Sequence, residues 1–389
     1  MRASIAHATV VAALGVLPTF LTGSTVTQLR QDLGVGAAEI GWATASLFVT
    51  AAAMAPVGAR VGRRLGTSRA IIVAPVISAV SLLTGAAAPN FAGLVIAMIV
   101  GGLANAVAQP VSNIRLAEFV TSSRLGFAFG LKQAAVPSAA LFAGVGVPTV
   151  ALVFGWRWVW LAGAAVSVIA AAYGYARRRS VPGAHVAQGR ALRGLDRLEQ
   201  RTMNLVTAGA FLAATVGTSV GVFFIDSAVS IGMSPASAGI LYAASSAVAI
   251  ATRVLLGWYC DWKPSSDSYL LATFLIAVGV LGNLLFAVEA HWALIGGALF
   301  SYVLGWAWPG LLQWSIVRDN RLNVAPATGF FQSGSSLGAG VGPIFFGALV
   351  GATSYRVGWF AAAGLGLLAT ALLAMGTRAA RGDALRTAP

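Results

Sequence analysis

Charge is scarce in this chain, and acidic charge is scarcer. Only 9% of its 389 residues are charged, and eleven are Asp or Glu. A soluble domain carries roughly 25% charged residues, so most of this sequence belongs in lipid. A single cysteine, Cys260, excludes an internal disulfide and a cysteine-based metal cluster. The three histidines, His7, His185 and His291, have no metal-ligand spacing, and no Ser/His/Asp set can be assembled. A membrane-embedded enzyme therefore lacks its constellation, and no metal or cofactor is expected. A receptor lacks an appended sensory domain, since only a short tail follows Arg378. The glycine-rich runs at 144–148 and 338–343 follow no strand, so they read as packing faces and not as phosphate loops.

What the chain has in abundance is apolar length. It is 58% hydrophobic and holds 46 glycines, which suit close helix packing in lipid. A span needs ~20 apolar residues, and in hydrocarbon it must be a helix because no water satisfies its backbone. Twelve spans are predicted, at 6–28, 37–59, 69–88, 91–113, 126–152, 157–176, 202–225, 237–259, 269–288, 292–315, 326–352 and 357–376. Only Arg2 precedes the first run, which continues to Val26 without a small-residue cleavage site, so it reads as a retained helix and not a signal peptide.

The formal charge of +14 does not indicate nucleic acid, because the arginines sit in short loops between apolar runs. With both termini cytoplasmic, 21 basic residues fall inside, Arg253 among them, and three fall outside: Arg30, Arg157 and Arg356. That asymmetry is a strong positive-inside signal and supports an even number of spans. Lys132, one of two lysines, is left within the membrane.

The polar stretch 177–201 divides the chain into two six-helix halves, 1–176 and 202–389. The halves repeat. GVGAAEIG at 34–41 matches GMSPASAG at 232–239, and WRWVW at 156–160 matches YRVGW at 355–359. Gly130 and Gln133 match Gly329 and Gln332 at nearly the same offset. Both halves enter the membrane in one orientation, so the repeat is parallel, with a pseudo-two-fold along the membrane normal. Such halves rock around a central site.

This chain resembles the major facilitator superfamily over essentially its whole length. The loop after the second helix in that family reads Gly-x-x-x-Asp-Arg-x-Gly-x-Arg-Arg. Here Arg64, Gly66 and Arg69 match, while Arg63 stands at the aspartate position. The second half keeps the acidic part, with Gly257, Asp261 and Lys263, and Arg253 upstream. Such a loop latches one conformation by setting a carboxylate against a helix N-terminus or an arginine. Arg64, Gly257, Asp261 and Arg253 are therefore the candidate latch, with Glu118 as an alternative acid for the first half. The fourth-helix arginine of many proton-coupled members is absent, with Ala97 and Met98 in that region, and the fifth helix lacks the glycine-proline motif of drug/proton antiporters. QPVSNIR at 109–115, GLKQAAVP at 130–137 and GWRW at 155–158 resemble the cyanate-porter-like, organic-anion branch.

An ammonium at membrane depth costs ~2.5–3.5 kcal/mol on insertion scales, so it is usually paired or functional. Lys132 lies near enough to a helix end to snorkel. Against that, all eleven acids read as lying in loops or at helix ends, which leaves Lys132 either to be satisfied by an anionic ligand or to be neutral, since burial lowers a lysine pKa. Asn105, Gln109 and Asn113 are spaced by four and share a face. Pro110 is expected to open that helix locally. Gln133 and Gln332 form a repeat-related pair. Trp306, Trp308 and Gln313 make an aromatic wall, Trp306 and Gln313 sharing a face seven residues apart; the competing reading is anchoring at the lipid interface. In the resembling fold helices 1, 4, 7 and 10 line the cavity. Arg157 and Arg356 read as anchors at matching helix starts.

The function expected is secondary active or facilitative transport of a small anionic solute across a bacterial cytoplasmic membrane, by alternating access. The protein is expected to be a monomer whose partners are the bilayer, the solute and a coupling proton. The alternative is a drug or metabolite exporter of the same superfamily.

Overall fold

The computed structural model describes residues 2–119, 124–177, 197–264, 267–320 and 324–387. Most of the stretch 177–201 that separates the halves, and the side chains of Arg63 and Glu118, lie outside the described residues. Among those described, eleven continuous helices are long and apolar enough to cross a bilayer, and a bent pair makes a twelfth. The bent pair, Ala6–Leu14 with Leu17–Ser24, is α1. The others are α2 (Ala37–Gly62), α3 (Thr67–Ala86), α4 (Phe91–Asn113), α5 (Leu125–Phe154) and α6 (Trp156–Arg177). They are followed by α7 (Gln200–Ser230), α8 (Pro235–Trp262), α9 (Ser268–Phe286), α10 (His291–Asp319), α11 (Ala327–Ala352) and α12 (Tyr355–Ala380). Large apolar side chains stand fully out on the perimeter: Ile169 is 67% exposed, Leu255 61% and Phe274 60%. A surface of that kind is stable only against lipid.

Three helices depart from the even rods read in the sequence. A 55° bend interrupts α1 where Gly15 packs on Asn105 and Ala108 of α4, and Pro18 opens the second piece. Beyond it, Val26–Leu33 forms a separate short helix. In α5 a π-helical stretch, Val147–Ala151, follows the proline-containing centre. In α10 another runs from Ala298 to Gly305, and the α-helix restarts only at Trp308, ahead of Pro309. The wider turn seats the backbone of α10 against α9, where Gly305 meets Gly279 and Ser301 meets Gly282. Pro110, in contrast, does not end its helix, which runs on to Phe119. It removes the donor for the Ala106 carbonyl, and that oxygen lies against Gly58 of α2, where a side chain would collide with it.

Within the first half α2 and α3 both pack on α4, and α6 on α3; within the second, α11 and α12 pack on α7, and α9 on α10 and α12. The repeat has a structural counterpart. Arg157 at the start of α6 donates to the Ala88 carbonyl at 3.3 Å, and Arg356 at the start of α12 donates to the Ala287 carbonyl at 3.2 Å. Both residue pairs are related by the same shift of 199 along the chain.

Two long seams join the halves, α2 on α11 and α5 on α8. Glycines set both. Gly41 and Gly347 let α2 and α11 approach backbone to backbone, and Gly126, Gly130, Gly144, Gly239 and Gly257 do so for α5 and α8. A valine at Gly257 would drive its side chain into the Gly126 carbonyl. Gly257→Val is expected to lower stability by about 1–3 kcal/mol, the usual range for an overpacked contact. Thermal unfolding of the purified protein in detergent measures this, and an unchanged midpoint would show that the seam is loose.

Candidate functional site

Where the halves meet, a cavity of about 120 Å³ lies at the centre of the bundle. Lys132 and Gln133 reach it from α5, Asn105 and Gln109 from α4, and Gln332 from α11. Phe20 of α1, Phe48 of α2, Phe331 of α11 and both Trp306 and Trp308 of α10 supply its aromatic surface.

Lys132 decides the electrostatics. It is 4% exposed, so its amine does not reach the surface, as a snorkelling lysine would. Among the described residues it has no hydrogen bond and no ion pair. Among the described residues no acid lines the cavity.

A second cation was misplaced by the sequence reading. Arg253 stands next to the loop motif and was counted with the cytoplasmic basic residues and the latch. It is instead 3% exposed and lines the cavity. Its Nη1 donates to the Gln133 carbonyl at 2.7 Å and its Nη2 to the Trp306 carbonyl at 2.7 Å. The guanidinium also lies over the Trp306 ring, 5.4 Å from its centroid. Only an arginine has enough spread donors to tie α8 to the backbones of α5 and α10 at once. Its Nε has no hydrogen-bond partner among the described residues.

The carboxamides are organised in pairs. Gln109 donates to Asn105 at 3.1 Å, Gln332 to the Ser336 hydroxyl at 3.2 Å, and Gln133 to Gln313 at 3.1 Å, across the halves. Gln313 is therefore behind the cavity wall and not in it, because the break in α10 between Trp306 and Trp308 spoils the seven-residue register. Asn113 also lies outside the cavity, one turn past Gln109, with its carbonyl oxygen buried and unpartnered among the described residues. Trp306 and Trp308 are 7% and 1% exposed, which rules out the lipid-interface reading of them.

Of the candidate latch residues, Asp261 accepts from the backbone N–H groups of Gly126 at 2.7 Å and Phe127 at 2.8 Å. Those are orphan donors in the first turn of α5, so a carboxylate of one half caps a helix of the other. Gly257 lies one turn earlier in the same seam. Arg64 is exposed and has no hydrogen bond or ion pair among the described residues.

On the opposite face from the chain ends a second acid joins the halves. Asp226 reads in the sequence as a loop or helix-end acid, yet it is 1% exposed on α7. Arg30 grips it with two bonds, 2.7 and 3.1 Å, and the Tyr355 hydroxyl donates to it as well. The short helix that carries Arg30 is tied to its own half by Gln28, which donates to the Ala151 carbonyl at 2.7 Å, and by Asp32. Asp32 accepts from the Trp156 indole and from Arg157, both at 2.9 Å, and the indole bond, then the arginine, hold its carboxyl below the ordinary range. Nearby, Gly23 of α1 presses on the Val222 carbonyl of α7. This face is closed. Sequence spacing gave no hint of the Arg30–Asp226 pair, which spans 196 residues.

The family model of the Major Facilitator Superfamily matches residues 8–319. The chain belongs to that superfamily. As a superfamily member it is a multi-pass membrane transporter, not an enzyme. Among solved structures, a bacterial homologue of the human lysosomal transporter Spinster, inward-facing and unoccupied, aligns with a TM-score of 0.72 at 16% identity, covering 97% of each chain. The nucleoside transporter NupG aligns with a TM-score of 0.69 at 18% identity, covering 95% of this chain and 99% of its own. At such identities the likeness is one of fold. No curated protein matches the chain in sequence.

The Arg30–Asp226 pair is lopsided, with side chains 47% and 2% exposed. Removing the arginine strands a buried carboxylate; removing the carboxylate leaves an arginine that water can solvate. Arg30→Ala is expected to cost about 2–4 kcal/mol and Asp226→Asn about 1 kcal/mol. Denaturation of the two variants in detergent measures this, and equal losses would contradict it.

Proposed function

We propose that this superfamily member moves a small organic or inorganic anion across the cytoplasmic membrane by alternating access, with Lys132 as its charge contact. The observation that carries this reading is the amine of Lys132, 4% exposed in a central cavity and, among the described residues, with no partner and no acid in the lining. An isolated buried cation is costly unless a counter-charge arrives. In this reading the solute is that counter-charge. Gln133, Gln332, Asn105 and Gln109 orient it, Trp306 and Trp308 cover it, and Gln313 and Asn113 steady the wall from behind.

Residues 1–176 and 202–389 are the two rocking bodies, with the basic stretch 177–201 as a cytoplasmic tether. The excess of arginine in the loops on the chain-end side puts both termini in the cytoplasm. The face sealed by Arg30 and Asp226 is then the outer one, and Asp261 bridges the halves on the cytoplasmic one. Asp261 on the cap of α5 is the cytoplasmic latch, working with Gly257; Arg64 faces the same side. Each acid bridges the halves on one face, and both bridges are made in this structure, so access from either side requires one of them to open. The exporter alternative requires a free membrane acid to carry protons. Asp226 does not suit that role, since Arg30 and Tyr355 already occupy it.

Lys132→Gln keeps the side chain polar and removes the charge. In proteoliposomes it is expected to lower anion uptake at least about tenfold, a loss in keeping with one charged hydrogen bond, while the purified variant stays folded and monodisperse. Full uptake by a folded Lys132→Gln protein would remove Lys132 as the charge contact.

A further inference from the structure

We propose that Arg253 is a positioning residue of the transport cycle: it holds the seam between α5 and α8 shut at cavity depth, by donating across the halves to a main-chain carbonyl that Pro137 leaves without a helical donor. The inference holds whichever solute the cavity takes. In an α-helix the Gln133 carbonyl would accept from the N–H of residue 137. Proline has none. The helical bonds on either side of the gap are made, Ala134 donating to the Gly130 carbonyl and Ser138 to the Ala134 carbonyl, both at 3.0 Å. Regular helix accordingly stops at Gln133 and restarts at Ala135. Arg253 Nη1, from the other half, supplies the missing donor at 2.7 Å. A buried carbonyl left without one is costly, so the gap in α5 is also a reason for the halves to stay together.

The rest of the seam places this bond. Arg253, Gly257 and Asp261 are spaced by four and form one stripe on α8. Asp261 binds the first-turn N–H groups of α5 at Gly126 and Phe127, Gly257 packs on Gly126 and Gly130, and Arg253 reaches Gln133. Asp261 is thus the rung at the chain-end face and Arg253 the rung beside the cavity. Both go to the main chain of α5. The other bond of Arg253, to the Trp306 carbonyl, lies within its own half and keeps the guanidinium in place when α5 moves away. The repeat supplies a comparison. Shifted by 199, Pro137 becomes Ser336, which keeps its N–H, and α11 runs unbroken through it. Shifts of 199 and 198 carry Arg253 to Met54 and Ala55 of α2, whose side chains donate nothing. The seam of α2 on α11 lacks both the freed carbonyl and the arginine, and the seam of α5 on α8 has both. An ordinary helical carbonyl is satisfied within its own helix. The Gln133 carbonyl can pass from arginine to water as the seam opens into an aqueous mouth, where irregular backbone is tolerated.

Cys260, the sole cysteine of the chain, reports on this seam. It is 1% exposed on α8, and its Cβ lies against Gly126 of α5. A buried thiol is modified only while its surroundings open. The test follows labelling of Cys260 by N-ethylmaleimide in the purified full chain in detergent, with thermal unfolding alongside. Arg253→Met is expected to lower the unfolding midpoint, because two carbonyls lose their donor. Adding Pro137→Ala returns an N–H to one of them and should recover about half of that loss. In the double variant labelling should still be at least about tenfold faster than in wild type, the factor for one charged hydrogen bond, because the repaired carbonyl no longer reaches across the halves. A double variant labelled at the wild-type rate would show that the arginine only fills a gap in the fold. No recovery of the midpoint on adding Pro137→Ala would show that the freed carbonyl is not what Arg253 serves. Either result overturns the proposal.

Discussion

A positive charge without a partner, enclosed between two helical halves, is the constraint around which the rest of this protein is arranged. Among the described residues, Lys132 and Arg253 line the central cavity, and no carboxylate does. Arg253 is tied into the wall by carbonyls of α5 and α10, so its position is a fixed property of the fold. Lys132 has no such tie. Burying an ion is expensive unless geometry and counter-charge compensate. In the proposed function the solute supplies that counter-charge.

The acids have the complementary distribution. Asp226 closes one face by receiving Arg30 and Tyr355, and Asp261 closes the other by capping α5. Cations thus stand at the middle and carboxylates at the rims, the arrangement on which the proposed anion transport rests. The glycine seams between α2 and α11 and between α5 and α8 give the surfaces on which such motion turns. Proline and π-helical breaks in α1, α5 and α10 fall on helices that border the cavity.

The fold was legible because its signals are long-range averages. Apolar length sets the spans, loop arginines set their orientation, and the shift of 198–199 residues exposes the duplication. The cavity lining was legible where a polar residue stands out on an oily helix, as with Lys132, Gln133, Gln332, Asn105 and Gln109. It was not legible where local appearance misleads. Arg253 sits four residues before Gly257, and the loop motif drew it to the surface. Gln313 shares a seven-residue spacing with Trp306 that holds only on an unbroken helix. Asp226 looks like a helix-end acid, because its partners Arg30 and Tyr355 lie 196 and 129 residues away and no local pattern announces them.

The most direct test of the central claim is thermal unfolding of the purified protein against pairs of solutes matched in size and opposite in charge, since a ligand that binds only the folded state raises its midpoint. The account predicts that small organic anions raise the midpoint in proportion to concentration while the matched cations do not. Stabilisation by cations, with anions inert, would mean that the cavity's charge is satisfied from within and that the protein carries something else.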